Sequence, residues 1–300
     1  MDLTGESFQL SISDMILEFK SYSEKIRLDA QGQVKHFVCS KCTKPDYSFN
    51  YSTVDEHTLE DATVVFTGQP GHNELLNYNW EVLMRDQAIY IRVNFVDHAD
   101  ILSILAKVSK NSTIVGVELV LHNLSADVVS VDPLIHPLGS LILLYLTHWK
   151  NGLLIHASGV LDKNEAYLFT GVSGIGKSTM ARLWKESGAA VLNDDRLVIR
   201  RIDGRIMVYN NPMPYYAQRP LRGELKKIFL LKQSLHNYIT PLKGVAAYSR
   251  VLGNFIQQFY QKEMVQRHLE IVEQTINLVD VYEVGFKPDQ DIVEMIREMD

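Results

Sequence analysis

Cysteine is scarce in this chain: 300 residues hold two, Cys39 and Cys42. They stand as C-x-x-C, the spacing of a redox pair or of half a zinc site. A tetrahedral structural zinc needs two further ligands. The sequence has no second cysteine pair, and nothing in the pattern joins His36 or His57 to the first. The two thiols therefore read as incidental. Long apolar runs are missing too. The longest, around residues 141–146, is far too short to span a bilayer. The N-terminal segment Met1-Asp2-Leu3-Thr4-Gly5-Glu6 is acidic, where a secretory signal would be basic. A cytoplasmic protein without membrane partners is expected. Basic blocks are absent as well, and the formal net charge is −6. Broad electrostatic binding to nucleic acid is therefore not expected. Repeats and low-complexity tracts do not occur.

What is present is an ordinary globular composition, 46% hydrophobic and 22% charged, in a length that suits one large domain or two smaller ones. The first part is richer in strand than in helix. Residues 7–12 alternate apolar and polar, as a half-buried strand does. Segments 25–29 and 34–38 flank Gly32 as a hairpin. Residues 80–85 and 88–93 pair across Asp86-Gln87, and 63–67 and 113–121 add strands. Asp132-Pro133 marks a boundary, since proline restricts its predecessor and interrupts helices. A strand-rich domain over 1–132, for recognition or scaffolding, is followed by a second domain over 133–300. There a helix spans about 138–149, and Asn151-Gly152 starts an apolar strand ending at His156. Strands 197–202 and 205–209 form a hairpin across Asp203-Gly204. Helical pattern covers 245–259 and 264–278, a last strand covers 281–284, and Pro288 opens a terminal helix.

The most informative stretch is Gly171-Val172-Ser173-Gly174-Ile175-Gly176-Lys177-Ser178-Thr179, which fits GxxxxGK[ST]. Glycines let successive backbone N–H groups turn toward phosphate oxygens. The following helix adds its positive end. Lys177 then reaches the β- and γ-phosphates, and Ser178 holds Mg²⁺. The context agrees: an apolar strand at 166–170 precedes the loop and a helix at 179–186 follows it.

Phosphoryl transfer also calls for a carboxylate on a neighbouring strand. Asp194 and Asp195 end the apolar strand 189–192. Two adjacent carboxylates offer two roles, one toward a metal and one toward the attacking group. The turn at 162–165 folds His156 back toward the glycine loop.

Taken together, His156-Ala157-Ser158-Gly159-Val160-Leu161, the loop from Gly171 to Ser178 and Asn193-Asp194-Asp195-Arg196 resemble the catalytic domain of HPr kinase/phosphorylase. The resemblance covers about residues 140–300 and is strongest over 152–198. It implies an α/β fold, α+β overall, with a P-loop core of the HPr kinase/phosphoenolpyruvate carboxykinase type beside the strand-rich N-terminal domain. It also implies ATP and Mg²⁺ as cofactors. Lys177 is then the phosphate ligand, and Ser178, Asp194 and Asp195 surround the metal. One aspartate is the base for a serine hydroxyl, Asp195 being favoured, and His156 positions it. Arg222 holds the transferring phosphate, with Arg219, Arg250 and Arg267 as further candidates. Two departures stand out. The family's loop aspartate is Val172 here. Its later Glu-Val-Arg-Gly element is Pro220-Leu221-Arg222-Gly223, with the glutamate missing and Glu224 on the arginine's other side. That loss points to the kinase direction over the reverse phosphorylase. In length and motif style the chain is also similar to the diverged kinases of lasso-peptide biosynthesis, which phosphorylate the C-terminal serine of a precursor peptide.

The expected activity is Mg·ATP-dependent transfer of the γ-phosphate to a serine hydroxyl of a peptide or small protein. Two other readings stay open: a small-molecule phosphotransferase or carboxykinase-like enzyme, and a nucleotide-gated regulatory module without transfer. Homo-oligomerisation is also left open.

Overall fold

The computed structural model describes residues 7–40, 44–72, 77–122, 128–212, 219–257 and 259–299, so Cys42 lies outside the described residues. The architecture is mixed α/β, with three sheets and five α-helices among the described residues. The chain divides into two compact units, Met1–Leu146 and Thr147–Asp300. The division falls inside the helix Leu138–Trp149, past the expected break at Asp132-Pro133. Local bonds explain the difference. The Tyr51 hydroxyl donates to the Pro133 carbonyl at 2.5 Å, and Tyr78 shares a 2.9 Å hydrogen bond with His136. The chain beyond the proline is thereby held to the first unit.

The first unit is built on one ten-stranded sheet. Its order is Val38–Cys39, Phe8–Ile12, Met15–Ser21, Tyr47–Thr53, Ile114–Leu121, Ile101–Val108, Ala88–Phe95, Asn77–Arg85 and Thr63–Thr67, with Gly71–His72 pairing onto Asn77–Arg85. Period-two alternation buries one face. Met15, Leu17 and Phe19 are fully buried while Ile16, Glu18 and Lys20 between them are not. The turn between Asn77–Arg85 and Ala88–Phe95 places Asp86 and Gln87 at φ 48° and 64°, the two left-handed residues of a type I′ hairpin. The expected hairpin around Gly32 does not form. Val34–Phe37 is a 3₁₀ turn, because Val34 and Phe37, three apart, are both buried. Ile26–Leu28 pairs instead with Val129–Val131.

The second unit holds a nine-stranded sheet. Five of its strands pair in a closed cycle: Gly152–Asp162, Glu165–Thr170, Arg222–Gln233, Arg205–Tyr209 and Arg196–Ile202. Asp280–Phe286 and Tyr238–Leu242 extend it past Arg222–Gln233. Both faces of Glu165–Thr170 are buried, which is why it reads as a continuous apolar run. Ala166 and Leu168 join a cluster with Ala247, Val251, Ile271 and Val272 of the helices Gly244–Leu252 and Lys262–Leu278. Tyr167 and Phe169 join a cluster with Met180 and Trp184 of the helix Lys177–Glu186 and Ile292 of Asp291–Arg297. The helix expected over 245–259 stops at Leu252, and Phe255–Ile256 pairs with Ile155 and Leu154. The terminal helix starts at Asp291, not beside Pro288.

His268 lies in this apolar interior, 1% exposed, between the rings of Phe255 and Phe259 at 6.1 and 5.6 Å. Neither ring nitrogen has a hydrogen-bond partner among the described residues. Burial pushes its pKa from 6.5 down to about 4. Between those values the unfolded chain binds a proton that the folded chain does not. Stability is therefore full above about pH 6.5 and is lost as pH falls, by ~1.4 kcal/mol per unit. Urea denaturation at about pH 7.5 and pH 5 should show a loss on the order of 2 kcal/mol that shrinks in His268→Leu. An unchanged loss in that variant would place the titration elsewhere.

Candidate active site

Glu165–Thr170 runs directly into the glycine loop, and the helix Lys177–Glu186 rises from it. Gly171, Gly174 and Gly176 have φ of 145°, 77° and 113°, backbone that a Cβ disfavours. Gly176 has a second constraint, since a Cβ there would lie 2.6 Å from Phe286 Cζ. It immediately precedes the helix, so it sets the direction of the first free N–H groups. Val172, Ser173, Gly174 and Ser178 are exposed, and Ile175 and Thr179 are half-buried.

The Lys177 side chain doubles back over the loop. Its Nζ donates to the Gly171 carbonyl at 3.0 Å and the Val172 carbonyl at 3.2 Å. Two of the three ammonium donors are thus used. The residue is 7% exposed. Burial lowers its pKa from the ordinary lysine value, and the charge of Asp195 opposes that shift.

His156 sits in mid-strand, because Gly152–Asp162 continues past it to the turn. Pairing of Ala157 with Thr170 sets His156 beside the start of the loop. Thr170 Oγ1 donates to the His156 carbonyl at 2.7 Å, and His156 N–H donates to the Asn254 carbonyl at 2.9 Å. On the other edge His156 pairs with Arg196, and Ala157 N–H donates to the Asp195 carbonyl at 3.1 Å. His156 Nε2 lies 3.5 Å from Asp195 Oδ1, and Arg196 Nε lies 3.5 Å from Asp195 Oδ2. Burial lowers the imidazole pKa first, Lys177 and Arg196 lower it further, and Asp195 opposes them. His156 is therefore neutral near pH 7, and at 3.5 Å its contact with Asp195 is looser than a good hydrogen bond.

Asp194 N–H donates to Asn193 Oδ1 at 2.7 Å, and no partner for the Asp194 carboxylate occurs among the described residues. Asn193, 1% exposed, also reaches Asn211 Oδ1 at 3.5 Å. Asn210 then holds Arg219 and Leu221 by backbone bonds of 2.9 and 2.8 Å. The structure thus gathers His156, Lys177, Asp194 and Asp195. It places Arg222 opposite Tyr209, at the start of the strand Arg222–Gln233. Glu224 pairs with Lys226 at 3.0 Å and Arg205 at 3.5 Å. It stands opposite Glu165, at the end of the loop strand remote from Gly171. Arg250 is held by Glu283 at 2.8 Å, and Arg267 is held by Asn151.

Four supporting residues escape a reading of the sequence for chemistry: Thr170, Asn193, Asn211 and Asn254. Asn193 left one signal, a polar residue between an apolar strand and two acids. The bond from His156 to Asn254 spans too much chain to leave any. No group of three His, Cys, Asp or Glu side chains suited to a metal occurs among the described residues. Cys39 is half-buried. A cavity of about 850 Å³ lies elsewhere in this unit, lined by Leu242, Val245, Tyr248 and Ile276, and includes none of these site residues. No described helix is long and apolar enough to cross a membrane.

No protein-family model matches the chain, and no curated protein does. Solved structures do match. One is the HPr(Ser) kinase/phosphatase from Coxiella burnetii, with 10% identity and a TM-score of 0.29 over 48% of this chain and 96% of that one. At that score the overlap says nothing of activity or substrate, and the site's own side chains must carry any reading.

Because Gly176 combines positive φ with contact to Phe286, Gly176→Ala should destabilise the protein by roughly 1–3 kcal/mol. Phe286→Leu in the same chain should recover part of that loss if contact is the cause. Thermal denaturation of both variants checks this, and a Gly176→Ala protein as stable as the parent would refute the constraint.

Proposed function

We propose that this chain is a Mg·ATP-dependent kinase that transfers the γ-phosphate to a serine hydroxyl of a peptide or small protein. The observation that most supports this is the charge arrangement around Lys177. A desolvated ammonium lies against a glycine loop and within electrostatic range of both His156 and Asp195. One site thus offers a cation for phosphate and a base for a hydroxyl.

The residues suit both ligands. Lys177 keeps one donor beyond its two loop carbonyls, and the loop glycines leave the backbone open to phosphate oxygens. Mg²⁺ takes one or two carboxylates and completes its shell with water and substrate phosphates. Exposed Ser178 and Asp194, whose carboxylate has no partner among the described residues, would supply such a set, with Asp195 beside them. When bound, the ion would neutralise charge on the phosphates.

The chain's own residues account for the proton. Asp195 accepts it from the serine hydroxyl as that oxygen attacks the γ-phosphorus. The bond to the β–γ bridging oxygen breaks, and ADP leaves with the electron pair. A hydroxyl is a weak nucleophile at neutral pH, so a base within reach is needed. His156 is neutral and stands beside the carboxylate without adding a competing cation. Arg196 keeps the second carboxylate oxygen in place. Arg222, opposite Tyr209 at the start of its strand, is the candidate to meet the transferred phosphate. Peptides ending in serine, which the lasso-peptide resemblance suggests, are the first acceptors to try.

Incubation with γ-labelled ATP, Mg²⁺, serine peptides and free serine tests the reading. Label should appear on peptide serine. Lys177→Ala and Asp195→Asn should each lower transfer by at least ~100-fold while circular dichroism is unchanged. Label confined to free serine, or ATP binding with no transfer to any acceptor, would overturn the proposal.

A further inference from the structure

The first unit's sheet carries a cleft of about 390 Å³, remote in sequence from the candidate active site. Arg85, Asp86, Tyr90, Lys107, Ile114 and Gly116 are among the residues that line it. Arg85 Cζ lies 5.5 Å and Lys107 Nζ 5.8 Å from the centre of the Tyr90 ring. The guanidinium is held in place by the Glu60 carbonyl at 3.1 Å and the Tyr90 hydroxyl at 3.2 Å. An arginine has five donors, so others remain for a ligand.

Elsewhere on this sheet the cations meet carboxylates. Lys20 lies 2.7 Å from Glu18, and Arg92 is paired with Glu81. The cleft differs. Lys107 has no carboxylate partner among the described residues, and Arg85 has only Asp86 at 3.9 Å, whose side chain is 93% exposed. Two like charges facing one ring repel each other, and an anion placed between them removes that repulsion. The lining adds a second requirement. A Cβ at Gly116 would meet nothing within 4 Å, and neighbouring Ile114 is 54% exposed. A bare inorganic anion has no use for that apolar surface.

We infer that this cleft binds an acidic peptide segment, its carboxylate between Arg85 and Lys107 and an adjoining apolar side chain over Gly116 and Ile114. The site does not depend on the kinase reading, since none of its residues belongs to the second unit. Paired charge-assisted bonds give the carboxylate its strength, and apolar cover gives preference over small anions.

Calorimetric titration of the full chain tests it with three probes: a short blocked peptide with two glutamates and a leucine, its glutamine counterpart, and inorganic phosphate. The glutamate peptide should bind, and the glutamine peptide should bind at least about tenfold more weakly. Arg85→Gln and Lys107→Gln should each weaken the glutamate peptide about tenfold, while Lys25→Gln, which removes an exposed lysine outside the cleft, should not. Gly116→Val fills part of the cleft without touching a charge and suits a strand, so it should also abolish binding in a folded protein. No peptide binding up to ~10 mM, binding that Gly116→Val leaves intact, or phosphate binding in place of peptide would each overturn the inference.

Discussion

The second unit depends on the hydrogen-bonding of one strand, Gly152–Asp162. Both of its edges are used. Glu165–Thr170 lies along one, and Arg196–Ile202, Ala190–Asn193 and Phe255–Ile256 share the rest. Three of these pairings bring a separate piece of chemistry to its middle. The first delivers the glycine loop, the second Arg196 with Asp195, and the last sets Asn254 against the His156 backbone. A slip of one residue in any of these ladders would turn His156 to the opposite face. The buried alternation of Ala166, Leu168, Tyr167 and Phe169 opposes such a slip, because these side chains are divided between two different clusters.

The charges gathered there are coupled through partial burial. The Lys177 ammonium is desolvated and leans on two carbonyls of its own loop. Burial first, and the lysine charge after it, disfavour a proton on His156, and Asp195 acts on both groups in the opposite sense. The imidazole is thus neutral beside a carboxylate that has His156 on one side and Arg196 on the other, each at 3.5 Å. Asp194, next along the chain, has a fixed backbone and an uncommitted carboxylate. Adjacent aspartates therefore enter different surroundings, which is the physical basis for giving them different roles.

Much of this was legible as local pattern. The helix Leu138–Trp149, the Asp86-Gln87 and Asp203-Gly204 turns and the strand–glycine loop–helix order follow from short-range rules about φ, periodicity and turn residues. Errors came where tertiary contacts competed with those rules. Val34 and Phe37 form a turn because burial three residues apart outweighed alternation. The helix after Gly244 ends early because Phe255 and Ile256 are recruited to the edge of Gly152–Asp162. Ile101–Val108 and Tyr238–Leu242 were not anticipated, although Ser103–Val108 and Tyr238–Leu242 each pair residue by residue with a neighbouring strand.

By itself the sequence determined which chemical groups this protein has to work with: a glycine loop opening a helix, a lysine at its start, a histidine one strand earlier and two acids one strand later. These are close in the chain, and connection lengths allow few ways of arranging them. Only the tertiary structure decided that Lys177 folds onto its own loop, that Asp195 rather than Asp194 meets His156 and Arg196, and that Glu224 is turned to Arg205 and Lys226. It also decided that Arg85 and Lys107 share one ring in a cleft that a bare glycine also lines. Those outcomes depend on register between strands and on burial. Both are set by side chains far apart in the chain, so no local motif records them.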